Sequence, residues 1–391
     1  MTANTSPMSV ALTVEQLWQP VPGGSGTYIR ALTDALASRD DVSVVGVRAR
    51  PHGLSLPQDS LPIEVVASRL PRKALYESWG RLRQPALPRP AGMRDLHRGY
   101  DVLHATTWAV PPRTAPLVVT VHDVAFLRSP EHFTRRGVGF FERALATVRR
   151  EADLVIVPSE VTRADCVDAG IDADRLRVVH HGTRPWTVTA AEVAAFRQAH
   201  GIGRDFVLWC GTFEPRKNVT AVLGAYERLL AEGSDLDLVL VGPSGWGGTS
   251  EQVRRTVDAL PPDRVHLLGR LDDTDLQRAY AAASAFCFPS LWEGFGMPVL
   301  EAMNHGTPVV TSQGTSMAEV SGAGALLVDP LDVDAIATAL LRATGPDAPA
   351  LGAAGRANAA SYTWEASARA HVAVYQEAVA LGADRAGRGR L

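Results

Sequence analysis

Short apolar runs alternate with longer stretches of helical period along most of this chain. Residues 10–14, 42–47, 102–104, 117–121, 154–157 and 176–179 are rich in Val and Leu and show no polar–apolar alternation. That pattern predicts strands covered on both faces, as in a parallel sheet. Residues 26–38 and 139–151 between them carry a helical period. A break near residues 183–203 is followed by the same grammar. Residues 206–210, 236–241, 265–268, 285–288, 308–311 and 325–328 predict strands, and 218–232, 249–259, 274–281, 298–304 and 332–343 predict helices. Repeated strand–helix alternation builds doubly wound α/β sheets. Two such sheets would open a cleft at the carboxyl ends of their strands, where ligands of this fold class bind. A last helical stretch covers 363–380, and the closing ADRAGRGRL reads as disordered.

The length of 391 residues suits two domains of ordinary size. A content of 46% hydrophobic and 21% charged residues is that of a globular enzyme. No apolar run approaches the roughly 18–20 residues that span a bilayer. The opening MTANTSPMSVALTV lacks the basic start of a signal peptide, so a cytoplasmic enzyme is expected. Cys166, Cys210 and Cys287 follow no metal spacing and read as reduced thiols.

Charge is uneven. Residues 1–185 carry 23 Arg/Lys against 19 Asp/Glu, whereas 186–391 carry 16 against 23. The basic excess gathers in 69–98, with Tyr76 and Trp79 among the cations. Such a segment can lie on an anionic membrane surface, or be a solvated helix face. Nucleic acid is a poor partner for a chain that is acidic overall. Only Lys73 and Lys217 are lysines in an arginine-rich chain, so a retained lysine suggests a point charge where a guanidinium would not serve.

The most informative stretch is Ser290-Leu-Trp-Glu-Gly-Phe-Gly-Met-Pro-Val-Leu-Glu301, after the predicted strand 285–288. It predicts Glu293 in a glycine loop and Glu301 in the first turn of a helix beginning near Pro298. Amides of Phe295, Gly296 and Met297 at such a helix start suit a phosphate or sugar. The plain alternative is a capped helix with an acidic first turn. After the strand 206–210 stands Gly211-Thr-Phe-Glu-Pro-Arg-Lys-Asn218, which places Arg216 and Lys217 at a helix start, where two cations and backbone amides could share a diphosphate. Near the N-terminus, Pro22-Gly-Gly-Ser-Gly-Thr-Tyr28 allows close backbone approach at Gly24, with Ser25 or Thr27 as helix cap. His122 ends the strand 117–121 and either faces a ligand or is a structural histidine bonded to Asp123; the two roles are compatible. His104 and the pair His180-His181 are weaker candidates. The glycine-rich 242–248 after a strand is expected to shape a pocket.

The Glu-x7-Glu stretch and the Glu-Pro-Arg-Lys-Asn run resemble the signatures of family 4 of the retaining nucleotide-sugar glycosyltransferases. Members have the GT-B architecture: two Rossmann-like domains facing a central cleft, with a C-terminal helix crossing back to the first. The resemblance covers roughly residues 10–375 and implies an acceptor-binding domain at 1–185, joined by the helix 363–380, and a donor domain at 204–362. It implies that Arg216 and Lys217 hold the donor diphosphate, that Glu293 contacts sugar hydroxyls, that Glu301 holds the ribose, and that His122 contacts the transferred sugar. Gly24 would face the diphosphate and the acceptor. Gly242, Arg270, Leu271 and Leu276 would line the nucleotide pocket, and Glu319 matches a Pro-Glu-Val element whose proline is Ala318 here. The wording of both motifs is most similar to members that move mannose from GDP-mannose to polysaccharide or lipid-linked acceptors, with UDP-, dTDP- and other GDP-sugars open. No Asp-x-Asp stands at a strand end, so no cofactor and no metal are expected. A nucleotide-sugar 2-epimerase shares the fold but has no use for the Glu-Pro-Arg-Lys-Asn run, and a non-catalytic nucleotide-sugar binder predicts degenerate motifs. The missing GxGxxG fingerprint argues against a dehydrogenase.

Overall fold

The computed structural model describes residues 6–19, 22–51, 61–90, 99–245 and 248–388. Residues 91–98 of the basic segment, Trp246 and Gly247 of the glycine-rich loop, and 389–391 lie outside them. The chain divides into two compact units, Met1–Gly182 with Trp364–Leu391, and Thr183–Thr363.

The first unit holds a seven-stranded parallel sheet of β1 (Met8–Thr13), β2 (Val42–Arg48), β3 (Glu64–Ala67), β4 (Val102–Ala105), β5 (Leu117–Thr120), β6 (Leu154–Val157) and β7 (Leu176–Val178), in the order β3-β2-β1-β4-β5-β6-β7. The second holds β8 (Phe206–Cys210), β9 (Asp237–Val241), β10 (Val265–Gly269), β11 (Ala285–Phe288), β12 (Val309–Ser312) and β13 (Ala325–Val328), in the order β10-β9-β8-β11-β12-β13. In each sheet the winding reverses once, between β1 and β4 and between β8 and β11. Those reversals are the topological switch points at which ligands of doubly wound sheets sit. The central strands β8 and β11 are buried along their whole length, which is why they read as unbroken apolar runs.

Several elements differ from expectation. The edge strand β3 went unpredicted, because at four residues with both ends exposed it carries little apolar signal. The break at 183–203 is ordered: a helix, Ala190–Ala199, begins there with a Thr189/Glu192 capping box, the Thr-x-x-Glu signature. Ala348–Ala359 is helical without an apolar stripe; it packs through glycines, Gly352 against the Gly306 carbonyl and Gly355 against Met303. The C-terminal helix runs Trp364–Arg388, past the expected end, and belongs to the first unit. Among the described residues no helix is long and apolar enough to cross a membrane.

Candidate active site

In the second unit the chemistry gathers at the switch point. The loop after β8 turns through a short 3-10 segment, Pro215–Lys217, and Asn218 then adopts a left-handed conformation before the helix Val219–Ala231. Arg216 and Lys217 therefore precede the helix instead of forming its first turn. The left-handed Asn218 separates them from it and anchors the turn, its amide donating to the Pro289 and Pro330 carbonyls (3.0 and 2.7 Å). The loop after β11 is stitched alongside, because the Leu291 amide donates to the Arg216 carbonyl at 2.8 Å. Two loops 76 positions apart in sequence are thus locked side by side.

That stitching brings Glu293 against both cations. Lys217 Nζ lies 2.5 Å from Glu293 Oε1 and Arg216 Nη1 lies 2.8 Å from Oε2. The Ser290 hydroxyl stands 2.8 Å from Oε1, and Arg216 also reaches Glu214 (2.7 Å) and donates to the Trp292 carbonyl (2.8 Å). Lys217 further sits 5.0 Å over the Phe288 ring. Burial pushes the Glu293 carboxyl up, but Arg216 and Lys217 outweigh it and hold it at about 2. The cluster is a balanced set of two cations and two carboxylates, Glu214 and Glu293. Glu214 and Ser290 were not singled out from sequence, although both stand inside the quoted motifs.

Glu301 is displaced from expectation. The helix Met297–Asn304 begins at Met297 and carries no acid in its first turn, so Glu301 lies in its second. Its carboxylate therefore owes nothing to the helix start; instead it accepts from the Tyr280 hydroxyl at 3.0 Å. Gly296 immediately precedes the helix with φ of 100°, and a Cβ there would come within 2.7 Å of the Met317 side chain, so the loop requires glycine twice over. Phe295 is buried edge-on to Tyr362 (6.0 Å), and Met297 packs on the core. Gly242 has a similar steric reason: a Cβ there would lie 1.8 Å from the Gly211 carbonyl oxygen, so the loops after β8 and β9 approach in van der Waals contact. Leu271 and Leu276 pack on the core from the loop and helix after β10, Arg270 is exposed, and Glu319 is half-buried on the helix Ser316–Ser321. The Ser316 hydroxyl from that helix donates to the Glu293 carbonyl at 2.7 Å.

In the first unit, helix Gly23–Ala37 begins inside the glycine run, so Gly24 is an exposed residue of its first turn and neither Ser25 nor Thr27 caps it. Gly26 is required by packing, since a Cβ there would meet Pro22 at 2.4 Å. His122 does not bond Asp123; its Nε2 lies 3.0 Å from the Thr106 carbonyl, and Asp123 accepts from the Ala125 amide. A carbonyl can only accept, so Nε2 carries the proton and Nδ1 is the acceptor of the neutral ring. Burial lowers the His122 pKa, against the opposing pull of Thr106 and Asp123. Tyr28 stands edge-on to His122 (4.8 Å) and beside His181 (4.7 Å).

Behind His122 runs a chain of hydrogen bonds that no sequence motif announces. His371 Nδ1 donates to the Ser367 carbonyl (2.8 Å), so its Nε2 accepts from the Tyr28 hydroxyl (2.8 Å). The Tyr28 oxygen then accepts from Thr120 (3.0 Å), Thr120 from His104 Nε2 (2.7 Å), and His104 Nδ1 from Tyr375 (2.7 Å). One terminal carbonyl orders every proton in the chain, provided both histidines are neutral. Burial keeps them so, pushing His371 down to about 4 and His104 well below its ordinary value.

In the basic segment 69–98 the aromatics turn inward, while Arg69, Lys73 and Arg81 are exposed. Within the helix Arg72–Leu82, Trp79 is buried and donates to the Pro85 carbonyl (3.0 Å), and Tyr76 stacks between Trp79 and Phe140. Arg83 turns inward to Glu151 and to the carbonyls of Val110 and Pro111. The aromatics that suggested a membrane face belong to the first unit's core.

Comparison with known proteins agrees on one family. Residues 22–185 match the model of Glycosyltransferase Family 4, and residues 192–344 that of Glycosyl transferases group 1. MMP alpha-(1->4)-mannosyltransferase of Mycolicibacterium hassiacum is 30% identical over 407 residues, covering 92% of this chain and 95% of the relative. O-antigen chain mannosyltransferase B of Escherichia coli is 32% identical over 272 residues, 68% of this chain and 71% of the relative. Among solved structures, sucrose-phosphate synthase of Thermosynechococcus elongatus superposes with a TM-score of 0.75 at 22% identity over 96% of this chain and all of that one. Anabaena HepE in complex with UDP and glucose gives 0.70 at 22%, covering 95% and 98%. The two parallel sheets, the paired signatures they carry and these likenesses together place the chain in glycosyltransferase family 4, a glycosyltransferase with the GT-B fold.

Proposed function

We propose that the protein transfers mannose from GDP-mannose, with retention of configuration and without a metal, to a glycan or lipid-linked acceptor. The observation that carries this reading is the Arg216–Lys217–Glu293 cluster at the β8/β11 switch point. Two cations fixed side by side through Glu293 suit a leaving diphosphate whose charge grows as the glycosidic bond breaks. Arg216 and Lys217 supply there the positive charge that a metal supplies in other transferases. Glu293, ionised at neutral pH, accepts from sugar hydroxyls, and charge-assisted bonds of this kind are strong. Glu301 holds the ribose. Amides of Phe295, Gly296 and Met297 serve sugar and phosphate, Gly242, Arg270, Leu271 and Leu276 line the nucleotide, and His122 offers Nδ1 to a hydroxyl of the transferred sugar. The acceptor attacks from the face the diphosphate leaves, and the phosphate takes its proton. Neither glutamate acts as a glycosidase carboxylate would. Catalysis then consists of positioning and electrostatic stabilisation.

Mannose is favoured because two relatives at 30% identity or more are named as mannosyltransferases. A UDP-sugar is the second reading, since the structural neighbour HepE was solved with UDP-glucose. Thermal shift with GDP, UDP, dTDP and ADP separates them: the largest shift is expected with GDP, a larger one with UDP selects the second reading, and none with any nucleotide overturns both. We further propose that the exposed cations of segment 69–98, Arg69, Lys73 and Arg81 among them, make a peripheral contact with an anionic membrane surface, and sedimentation with anionic vesicles tests it; absence of binding at any salt concentration would overturn it.

A further inference from the structure

On the reading above Glu301 accepts from a diol as a carboxylate, yet it is buried, and burial raises its carboxyl above the ordinary range. The neighbouring groups show how this is managed. Tyr280, fully buried on the helix Asp273–Ala282, points its hydroxyl at Glu301 Oε2, 3.0 Å away. The same hydroxyl lies 2.9 Å from Cys210 Sγ at the end of β8. A phenol has one proton, and an ionised carboxylate can only accept, so the order of donors follows: thiol to phenol, phenol to carboxylate. Both donors keep their protons at neutral pH, because burial raises the Tyr280 hydroxyl well above its ordinary value and the Cys210 thiol to about 12. The ring itself is clamped. It stands edge-on to Phe286 (5.3 Å) and parallel to His305 (6.4 Å), and the Tyr280 backbone carbonyl accepts from the Thr307 hydroxyl (2.7 Å).

We propose that Tyr280 is a positioning residue for the donor, fixing one oxygen of Glu301 so that the other, Oε1, is presented to the ribose hydroxyls. This rests on the donor-site reading above. Oε1 makes no hydrogen bond among the described residues, which leaves it for a ligand. Two physical consequences follow. The fixed carboxylate loses little rotamer freedom when the donor binds. The phenol proton also opposes protonation of Glu301, working against burial and the charge of Asp273. The other titratable neighbour, His305, is kept neutral by burial at about 4, and Lys217 and Glu293 face Cys210 with opposite charges.

The test is the pH dependence of donor KM and kcat for wild type, Tyr280→Phe, Glu301→Gln and the double variant. Phe keeps the ring between Phe286 and His305, so the fold survives. Tyr280→Phe is expected to raise donor KM about 5- to 10-fold at neutral pH, with kcat within roughly twofold, as for the net loss of one ordinary hydrogen bond. It should also move the acid-side rise in KM upward by roughly one pH unit, because the carboxylate has lost the donor that stabilised its charged form. Glu301→Gln should raise KM and abolish that inflection, and in its background Tyr280→Phe should add less than about twofold. A Tyr280→Phe effect of equal size in both backgrounds, or one with no movement of the inflection, makes Tyr280 merely structural and overturns the proposal. An unchanged KM in Glu301→Gln overturns the ribose assignment itself, and the positioning role with it.

Discussion

The two units carry the same kind of sheet and opposite electrostatics at its functional end. In the second, two cations and two carboxylates are packed together beside Ser290, and the Glu293 carboxyl stays ionised far below neutral pH. In the first, Tyr28, Thr120, His104, His371 and Tyr375 form a chain with no charge in it, and burial removes the charge the histidines could carry. Paired buried charges are costly to assemble and strongly destabilising to break, so the cluster fixes its two loops only while all of its charges stay paired. A neutral chain with one proton order fixes geometry without attracting counter-ions, which suits holding a helix and a single histidine in place.

The comparison breaks first at Lys217. Lys217→Ala should lower kcat/KM by about 10³-fold, the scale of losing a transition-state charge partner, with Lys217→Arg restoring only part of it. Steady-state transfer assays check this, and unchanged transfer in both Lys217→Ala and Glu293→Ala would show that the charged cluster is not the site. His122→Ala should cost less, roughly 10²-fold in kcat, since it removes one oriented acceptor and no net charge. An equal loss for the two variants would erase the contrast between charged and neutral regions.

Acid sharpens it. A histidine held neutral in the fold binds a proton more readily when unfolded, so stability falls as pH drops below about 6.5 and continues to fall toward the folded value. For His371, held at about 4, the loss at pH 5 is about 2 kcal/mol. Glu293, held at about 2, costs the second unit nothing until pH falls below the ordinary carboxylate range near 4.5. Limited proteolysis between pH 7 and pH 5 should therefore open the first unit before the second, starting at the C-terminal helix, because burial lowers His104, His122, His181 and His371 there and His305 in the second. Simultaneous opening would count against the assignment. The smallest effect is Tyr28→Phe, expected to cost about 1–2 kcal/mol by leaving His371 Nε2 unpaired. Denaturant unfolding followed on the first unit measures it.

Much of this protein was determined locally. Central strands such as β8 and β11 are buried on both faces, so their residues must be apolar whatever surrounds them, and the run of Val, Leu and Phe announces them. The Glu-Pro-Arg-Lys-Asn and Glu-x7-Glu motifs are contiguous in sequence because each is one loop at a strand end, so both could be picked out without the fold. The edge strand β3 was not, because half-exposed positions impose no such pattern. Tertiary structure alone decided that Glu293 would pair with both Arg216 and Lys217, in loops stitched together where the Leu291 amide bonds the Arg216 carbonyl across 75 positions. It decided that Tyr76 and Trp79 face inward, because a helix's sequence does not say which side its partner lies on. It also joined His371 and Tyr375 to Tyr28 and His104, residues hundreds of positions apart. Which elements form is set by short-range pattern; which side chains share a proton is set by how the elements pack.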